Sequence, residues 1–334
     1  MQRHWFKGDT HLHTLNSDGH LHQYELIERC KKLGLDYIII TDHNYDTVEK
    51  SYSSDGLLVI KGQEVTGDNG HVNIWGENVG FKPPYDLSNL HAYKKIAAKA
   101  KKNGATISVN HPFCSNCGFL LDLDDMPMDC VEVWNTIQHS DNIKNLNWWV
   151  DNLNWWVDKL NHGIKIGAVG GSDFHRDYAK LDMLARPTTV TLAKSNTPDD
   201  ILAALREGRS VVTNRPETSM IYLSVEGAQL GDTIKLNDNS FLVGDCRVTK
   251  LLPGHTLKIF NNNEVVYEHK AYFPEKEHNA VFEIRNKGYI RAQIDYDFTP
   301  ALKKVYTEVE KRFLKGSGDV PTFFWAFTNP IWID

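Results

Sequence analysis

Three short runs, far apart in the chain, join carboxylate to imidazole: Asp9-Thr10-His11-Leu12-His13, Thr41-Asp42-His43-Asn44 and Gly171-Ser172-Asp173-Phe174-His175. In an extended strand, residues i and i+2 share a face. His11 and His13 therefore project together, and so do Asp173 and His175. Neutral imidazole and carboxylate are the donors that hard-to-borderline divalent cations prefer, with no thiolate needed. A single such run reads as a surface accident. Three of them, each just after a strand-like segment, read as a metal site.

The elements that must position these runs alternate between strand and helix up to about residue 210. "HQYELIERCKKLGL" at 22–35 spaces Leu26, Ile27, Cys30 and Leu33 as a helix does, with Gly34 as its stop. "DYIIITDH" follows as a buried strand. The stretch 87–104 predicts a second helix, with Ser88 as N-cap and Gly104 as stop. "ATISVNHP", "DCVEVWN" at 129–135 and "IKIGAVGGSD" at 164–173 predict further strands. Repeated strand–helix units imply parallel strands around a shared core. From about Ser219 the pattern changes to short alternating segments, with a hairpin signal at Phe260-Asn261-Asn262-Asn263-Glu264. The expectation is a catalytic unit over 1–218 and a small antiparallel β-sandwich over 219–334. "NLNWWVD" occurs twice in succession, at 145–151 and 152–158. This period sets Trp148 with Trp155 and Trp149 with Trp156 on a helix. These indoles are expected to pack the helix onto the strands, the alternative being an exposed aromatic platform for a partner.

The chain has 334 residues and a net charge of −6, most of it on the first 218 residues. No basic nucleic-acid footprint is present, so long nucleic acid is not the expected partner. Bound cations would reverse the sign inside a pocket, which leaves room for a small anionic substrate. The five cysteines form no regular framework and predict reduced thiols in a cytoplasmic protein. Cys114-Ser115-Asn116-Cys117 reads as two thiols in a loop after His111-Pro112, not as a redox or zinc pair. The opening "MQRHWFKGD" lacks a signal peptide's apolar stretch. No segment approaches the roughly 20 apolar residues of a membrane span.

The ordered set "DTHLHTLNSDG" (9–19), "YIIITDHN" (37–44), "IKGQEVTG" (60–67), "GHVNIWG" (70–76), "VNHP" (109–112) and "VGGSDFH" (169–175) resembles the polymerase and histidinol phosphatase (PHP) superfamily of metal-dependent hydrolases. "PDDILAALREGRSVVTNRPE" at 198–217 and the terminal "AFTNPIWI" resemble its carbaryl-hydrolase-like branch, with Asn214-Arg215-Pro216 where that branch has Asn-Gly-Pro. The resemblance implies an α/β fold, a distorted (β/α)7 barrel with its motifs at the carboxyl ends of the strands. It implies up to three divalent ions, manganese, iron or zinc. His11, His13 and Asp173 would hold one, with Glu64 bridging to a second completed by His71 and His111. Asp18, His43 and His175 would take the third. Asp18 stands where some relatives use histidine, which favours manganese or iron over zinc.

In such a centre Asp173, Glu64 and His111 support a metal-bound hydroxide as nucleophile, and no serine or cysteine nucleophile is required. Asp9 and Asp42 are expected to hydrogen-bond behind the ligands. Arg176, Arg186 and Arg215 are candidates to meet an anionic substrate. His20 and His22 read as helix-start residues first and pocket-rim residues second. The resemblance implies a phosphoesterase acting on a small phosphate mono- or diester. The branch match implies, as the alternative, a carboxylester, carbamate or amide hydrolase on the same centre. A metal-loaded binding protein without catalysis is the third reading, against which the complete ligand set argues.

Overall fold

The computed structural model describes residues 2–77, 88–135, 148–177, 182–297, 304 and 323–334. The strands of the first part are β1 (His4–Leu12), β2 (Tyr37–Ile40), β3 (Tyr52–Ser54), β4 (Leu57–Gly67), β5 (Gly70–Trp75), β6 (Thr106–Val109), β7 (Cys130–Asn135), β8 (Gly167–Gly171), β9 (Thr188–Ala193) and β10 (Ser210–Thr213). Among the described residues the helices are α1 (Gln23–Lys32), α2 (Leu90–Lys102), α3 (Trp148–Asn161) and α4 (Pro198–Arg206). Then come β11 (Met220–Val225), β12 (Thr233–Ile234), β13 (Leu242–Leu251), β14 (His255–Asn261), β15 (Glu264–Lys270), β16 (Glu275–Ile284), β17 (Gly288–Tyr296), β18 (Phe323–Thr328) and β19 (Ile331–Ile333).

Local sequence explains most of these elements. α1 buries Leu26, Ile27 and Cys30, and Gly34 follows its end at φ +70°, a left-handed conformation that suits glycine. α2 is capped by Asn89, whose side chain accepts from the amide of Ala92 at 3.1 Å. The expected cap, Ser88, lies one residue too early for that bond, and asparagine caps as well as serine does. Residues 145–147 of the tandem repeat, which precede α3, and the side chains of Trp148 and Trp149 lie outside the described residues. Trp156 is fully buried and donates Nε1–H to the Ile166 carbonyl at 2.9 Å. Trp155 is half-buried and donates to Asp124 at 2.8 Å.

The sheet is mixed. β1–β2–β4 and β6–β7–β8 run parallel, whereas β4–β5–β6 and β1–β9–β10 are antiparallel. This departs from the regular strand–helix repetition expected of a (β/α)7 barrel, and the fold is strand-rich. The cause is local. Only Asp68 and Asn69 separate β4 from β5, too short a link for a parallel crossover. The sheet also curls. Leu12 bridges Phe174 in parallel, and Thr10 Oγ1 donates to the Gly170 carbonyl at 3.2 Å, so β8 returns beside β1.

The later strands divide between two sheets. β18 pairs with β10 (Val212 opposite Phe327) and with β17, so the ladder crosses residue 218. A separate sheet, β11–β13–β16, shares an apolar core with β14, β17 and β19, including Ile221, Val248, Leu257, Phe282, Ile290 and Ile331. The β14–β15 hairpin turns through Asn262 at φ +56°, at the position of the asparagine run. Beyond β18, the Asn329 side chain bonds the N–H and C=O of Ala168, both at 2.8 Å, and the Ser210 hydroxyl at 2.8 Å. The first and last strands therefore share one framework: β1 opens it and Asn329, between β18 and β19, ties β8 to β10. Among the described residues, no helix is long and apolar enough to cross a membrane.

Candidate metal centre

The curl of the sheet brings the strand ends together, and the ligand-type side chains sit there. His11 and His13 leave the end of β1, both fully buried. Glu64 stands on β4, also at 0 % exposure, and His71 on β5. His43 follows β2 and bridges Glu64 through its backbone. His111 follows β6 at φ +28°, and Asp173 follows β8 at φ +50°. Left-handed backbone at residues other than glycine costs of order 1–3 kcal/mol and persists only where the surroundings over-determine it. Here it accompanies His111, which faces Glu64, and Asp173, which faces His11 and His13.

Glu64 is the centre of the array. Oε1 lies 3.3 Å from His11 Nε2, 3.0 Å from His71 Nδ1 and 3.6 Å from His111 Nε2. Oε2 lies 2.7 Å from His43 Nδ1 and 3.5 Å from His13 Nε2. Asp173 Oδ1 is 3.4 Å from His11 Nε2, 3.0 Å from His13 Nε2 and 3.4 Å from His175 Nδ1. At the outer edge Asp18, more than half exposed, lies 3.1 Å from His175 Nε2 and 3.5 Å from His43 Nε2. All nine sequence-derived candidates thus lie in one cluster. Its donor atoms fall into overlapping groups, each within 4.8 Å: His11–His13–Asp173, His11–Glu64–His111, His43–Glu64–His71 and His13–Asp18–His43–His175. His71 lies beside both His43 and His111, with ring centroids 5.6 and 5.1 Å away.

The donor set fits divalent cations. His11 Nε2 and His13 Nε2 are buried with no hydrogen-bond partner, although they lie 3.3 and 3.5 Å from the Glu64 carboxylate. Buried polar atoms without a partner are costly. Acidic and imidazole donors converging on shared space remove that cost when a cation lies among them.

The electrostatics point the same way. Burial alone would raise Glu64 and Asp173, yet both are held well below the usual carboxylate range by the imidazoles, foremost His11. Burial alone would lower the histidines. The carboxylates overcome it at His11, which is raised well above its ordinary value by Asp173, Glu132 and Glu64. His43 is pushed up to about 10 against burial by Glu64 and Asp18, and His111 to about 9 by Glu64, Glu132 and Asp173. His13 goes the other way, to about 4, through burial and then the neighbouring His175.

A second layer holds the array. Asp9 accepts from the amides of Ser172 at 2.9 Å and Ala185 at 3.0 Å, and burial raises it to about 6. Asp42 accepts from the amide and hydroxyl of Thr14, both at 2.7 Å, and from Ser17 at 2.6 Å. Asn110 donates to Glu64 at 2.8 Å. Glu132 on β7, absent from the sequence-derived set, is 1 % exposed and bonds His11 Nδ1 at 3.0 Å, the His111 amide at 3.1 Å and Asn135 at 3.0 Å. Asn135 also donates to Asp173 at 3.2 Å. A carboxylate inside the apolar run "CVEVW" was the available signal for Glu132. Gly171 lets β8 approach this layer, since a Cβ there would stand 2.4 Å from Glu132 Oε1 and 2.4 Å from His11 Cβ.

The cluster opens into a cleft of about 490 Å³ lined by Asp18, His20, His43, His71, His111, Asn116, Cys117, Asp173, His175 and Arg176. Arg176 therefore reaches the cleft, and so does His20. Arg186 and Arg215 are not among its lining residues. Arg215 instead pairs with Glu217 at 2.9 Å and Asp182 at 3.6 Å. His22 caps α1.

No family model matches the chain, and no curated protein matches it. Several solved structures are similar to it. One is a two-domain protein of Bacteroides vulgatus containing a predicted PHP-like metal-dependent phosphoesterase, with TM-score 0.48 and 19 % identity over 87 % of this chain and 90 % of that one. Another is a lesion-specific endonuclease of Pyrococcus furiosus, with TM-score 0.39 and 16 % identity over 61 % of this chain and 56 % of that one. A third is an amidohydrolase of Chromobacterium violaceum with bound sulfate, with TM-score 0.33 and 14 % identity over 50 % of this chain and 87 % of that one.

Proposed function

We propose that this protein is a metal-dependent phosphoesterase that hydrolyses a small phosphate mono- or diester. The observation that carries the reading is the convergence of His11, His13, Asp18, His43, Glu64, His71, His111, Asp173 and His175 on one open cleft, with buried donor atoms left unpaired around Glu64. The strands β1, β2 and β4–β8 that curl round it are taken as the superfamily's distorted barrel. Residues 219–334 are taken as a buttress to it.

Divalent ions, which these nine residues would hold, would polarise an ester oxygen and acidify a water near neutral pH. The protein's own groups prepare that chemistry. Glu132 accepts a hydrogen bond from His11 Nδ1–H, which leaves the Nε2 lone pair toward Glu64 and Asp173. Asn110 and Asn135 donate to Glu64 and Asp173 and fix their carboxylate planes. Arg176, at the cleft lining, offers a planar fork to an anionic oxygen. Several clustered positive charges suit a substrate with several anionic oxygens better than one with a single carbonyl. The net negative charge of the chain disfavours an extended nucleic-acid backbone.

The test is kcat/KM for nitrophenyl phosphate mono- and diesters against nitrophenyl acetate and an aryl carbamate, with manganese, zinc and iron supplied in turn. Preference for the phosphate esters is expected. Preference for the acyl or carbamoyl compounds under every metal would replace this reading with an acyl hydrolase.

A further inference from the structure

The C-x-x-C pair set aside as two loop thiols sits against the metal centre. Donor atoms of His111, Cys114 and Cys117 lie within 4.8 Å of one another. A tetrahedral zinc site with ordinary Zn–S and Zn–N bonds sets its ligand atoms about 3.5–3.8 Å apart. Small side-chain rotations would close that gap. The loop is built for it. His111 accepts from the Cys114 amide at 2.9 Å, so the chain doubles back immediately after the histidine. Gly118 then packs where a Cβ would stand 2.5 Å from the Cys114 carbonyl and 2.7 Å from the Pro112 carbonyl. The Cys117 amide donates to Cys114 Sγ at 3.2 Å, the kind of bond that steadies a ligating sulfur. Cys114 is buried, while Cys117 lines the cleft and is partly open to solvent.

A second observation points to a ligand. The His111 imidazole is 2 % exposed, and its Nδ1 has no hydrogen-bond partner. Its Nε2 faces Glu64 at 3.6 Å and Asp173 at 4.0 Å. The ring therefore has one nitrogen for the oxygen-rich cluster and one to spare.

We propose that His111, Cys114 and Cys117 form a separate thiophilic metal site at the edge of the cleft, with His111 shared between it and the carboxylate–histidine cluster. The ion would be of the zinc class, held by one nitrogen and two sulfurs with a fourth position toward the cleft. Each thiol passes its proton to solvent as the ion binds. The site goes beyond the phosphoesterase reading and does not depend on it, because its signature is a metal–sulfur bond and not turnover.

The experiment adds Co2+ alone to the reduced, metal-free full-length protein and follows its absorption. The nine-residue cluster offers only nitrogen and oxygen, so a thiolate-to-cobalt charge-transfer band in the near ultraviolet reports this site alone. The band is expected in the native chain and is expected to vanish in Cys117→Ser and Cys114→Ser, with bound cobalt reduced by one equivalent. In the native chain, Zn2+ should slow alkylation of Cys117 at least ~10-fold, because a coordinated sulfur is a poor nucleophile. Absence of the band, together with alkylation at one rate with and without Zn2+, would overturn the proposal without touching the phosphoesterase reading.

Discussion

Glu132→Gln probes how strongly the layer behind the ligands governs the centre. Glu132 accepts three hydrogen bonds: Oε1 from His11 Nδ1, and Oε2 from the His111 amide and Asn135. A glutamine has one accepting oxygen and one donating amide. If the oxygen keeps its two donors, the NH2 faces His11 Nδ1. The imidazole must then turn its proton to Nε2, the atom that lies 3.3 Å from Glu64 and 3.4 Å from Asp173. A protonated Nε2 cannot bind a cation. Changes of this kind lower metal affinity roughly 10–100-fold, which is about 1.4–2.7 kcal/mol. Competition with a chromophoric chelator should show that loss in the variant at neutral pH, while the metal-free protein keeps its circular dichroism. Native affinity in a correctly folded Glu132→Gln protein would refute the claim that Glu132 sets the tautomer of His11.

Other expectations follow from the same geometry. Asp173→Asn and His111→Ala should each lower phosphate-ester hydrolysis at least ~10²-fold with the fold preserved; native rates with metal content confirmed would exclude these residues from the centre. Asn329→Ala should lower stability by roughly 1–3 kcal/mol for each buried group it leaves unpaired, read by urea denaturation, and an unchanged midpoint would show that the tie to Ala168 and Ser210 is dispensable. In the metal-free protein His43 sits at about 10 and His111 at about 9 against an ordinary 6.5. Folded-state values raised in this way stabilise fully below pH 6.5 and fade as pH rises through about 9 and 10. The Tm of chelator-treated protein should therefore fall across that window, and loading with Mn2+ should reduce the fall, since cations replace those protons. A flat metal-free profile would contradict the electrostatic account.

The sequence by itself singled out the imidazoles and carboxylates that gather in the cluster. Imidazoles and carboxylates two residues apart at strand ends are a local signal, because side-chain direction in a strand depends only on the i, i+2 period. Helix ends were equally local: Gly34 and Gly104 adopt the left-handed backbone that stops α1 and α2. The asparagine run before Glu264 marked the β14–β15 hairpin for the same reason. Tertiary structure decided what lies beside what. Glu132 is a lone carboxylate in an apolar strand, and only the pairing of β6, β7 and β8 sets it against His11. Asn329 reaches Ala168 because β18 pairs with β10, a contact that no local pattern encodes. Arg176, Arg186 and Arg215 are alike as sequence signals, yet only Arg176 lines the cleft. Cys114 and Cys117 looked like loop thiols until the turn after His111 placed them within reach of its ring. Local spacing fixes which way a side chain points, whereas the curl of a mixed sheet, set by many distant pairings together, fixes what it meets.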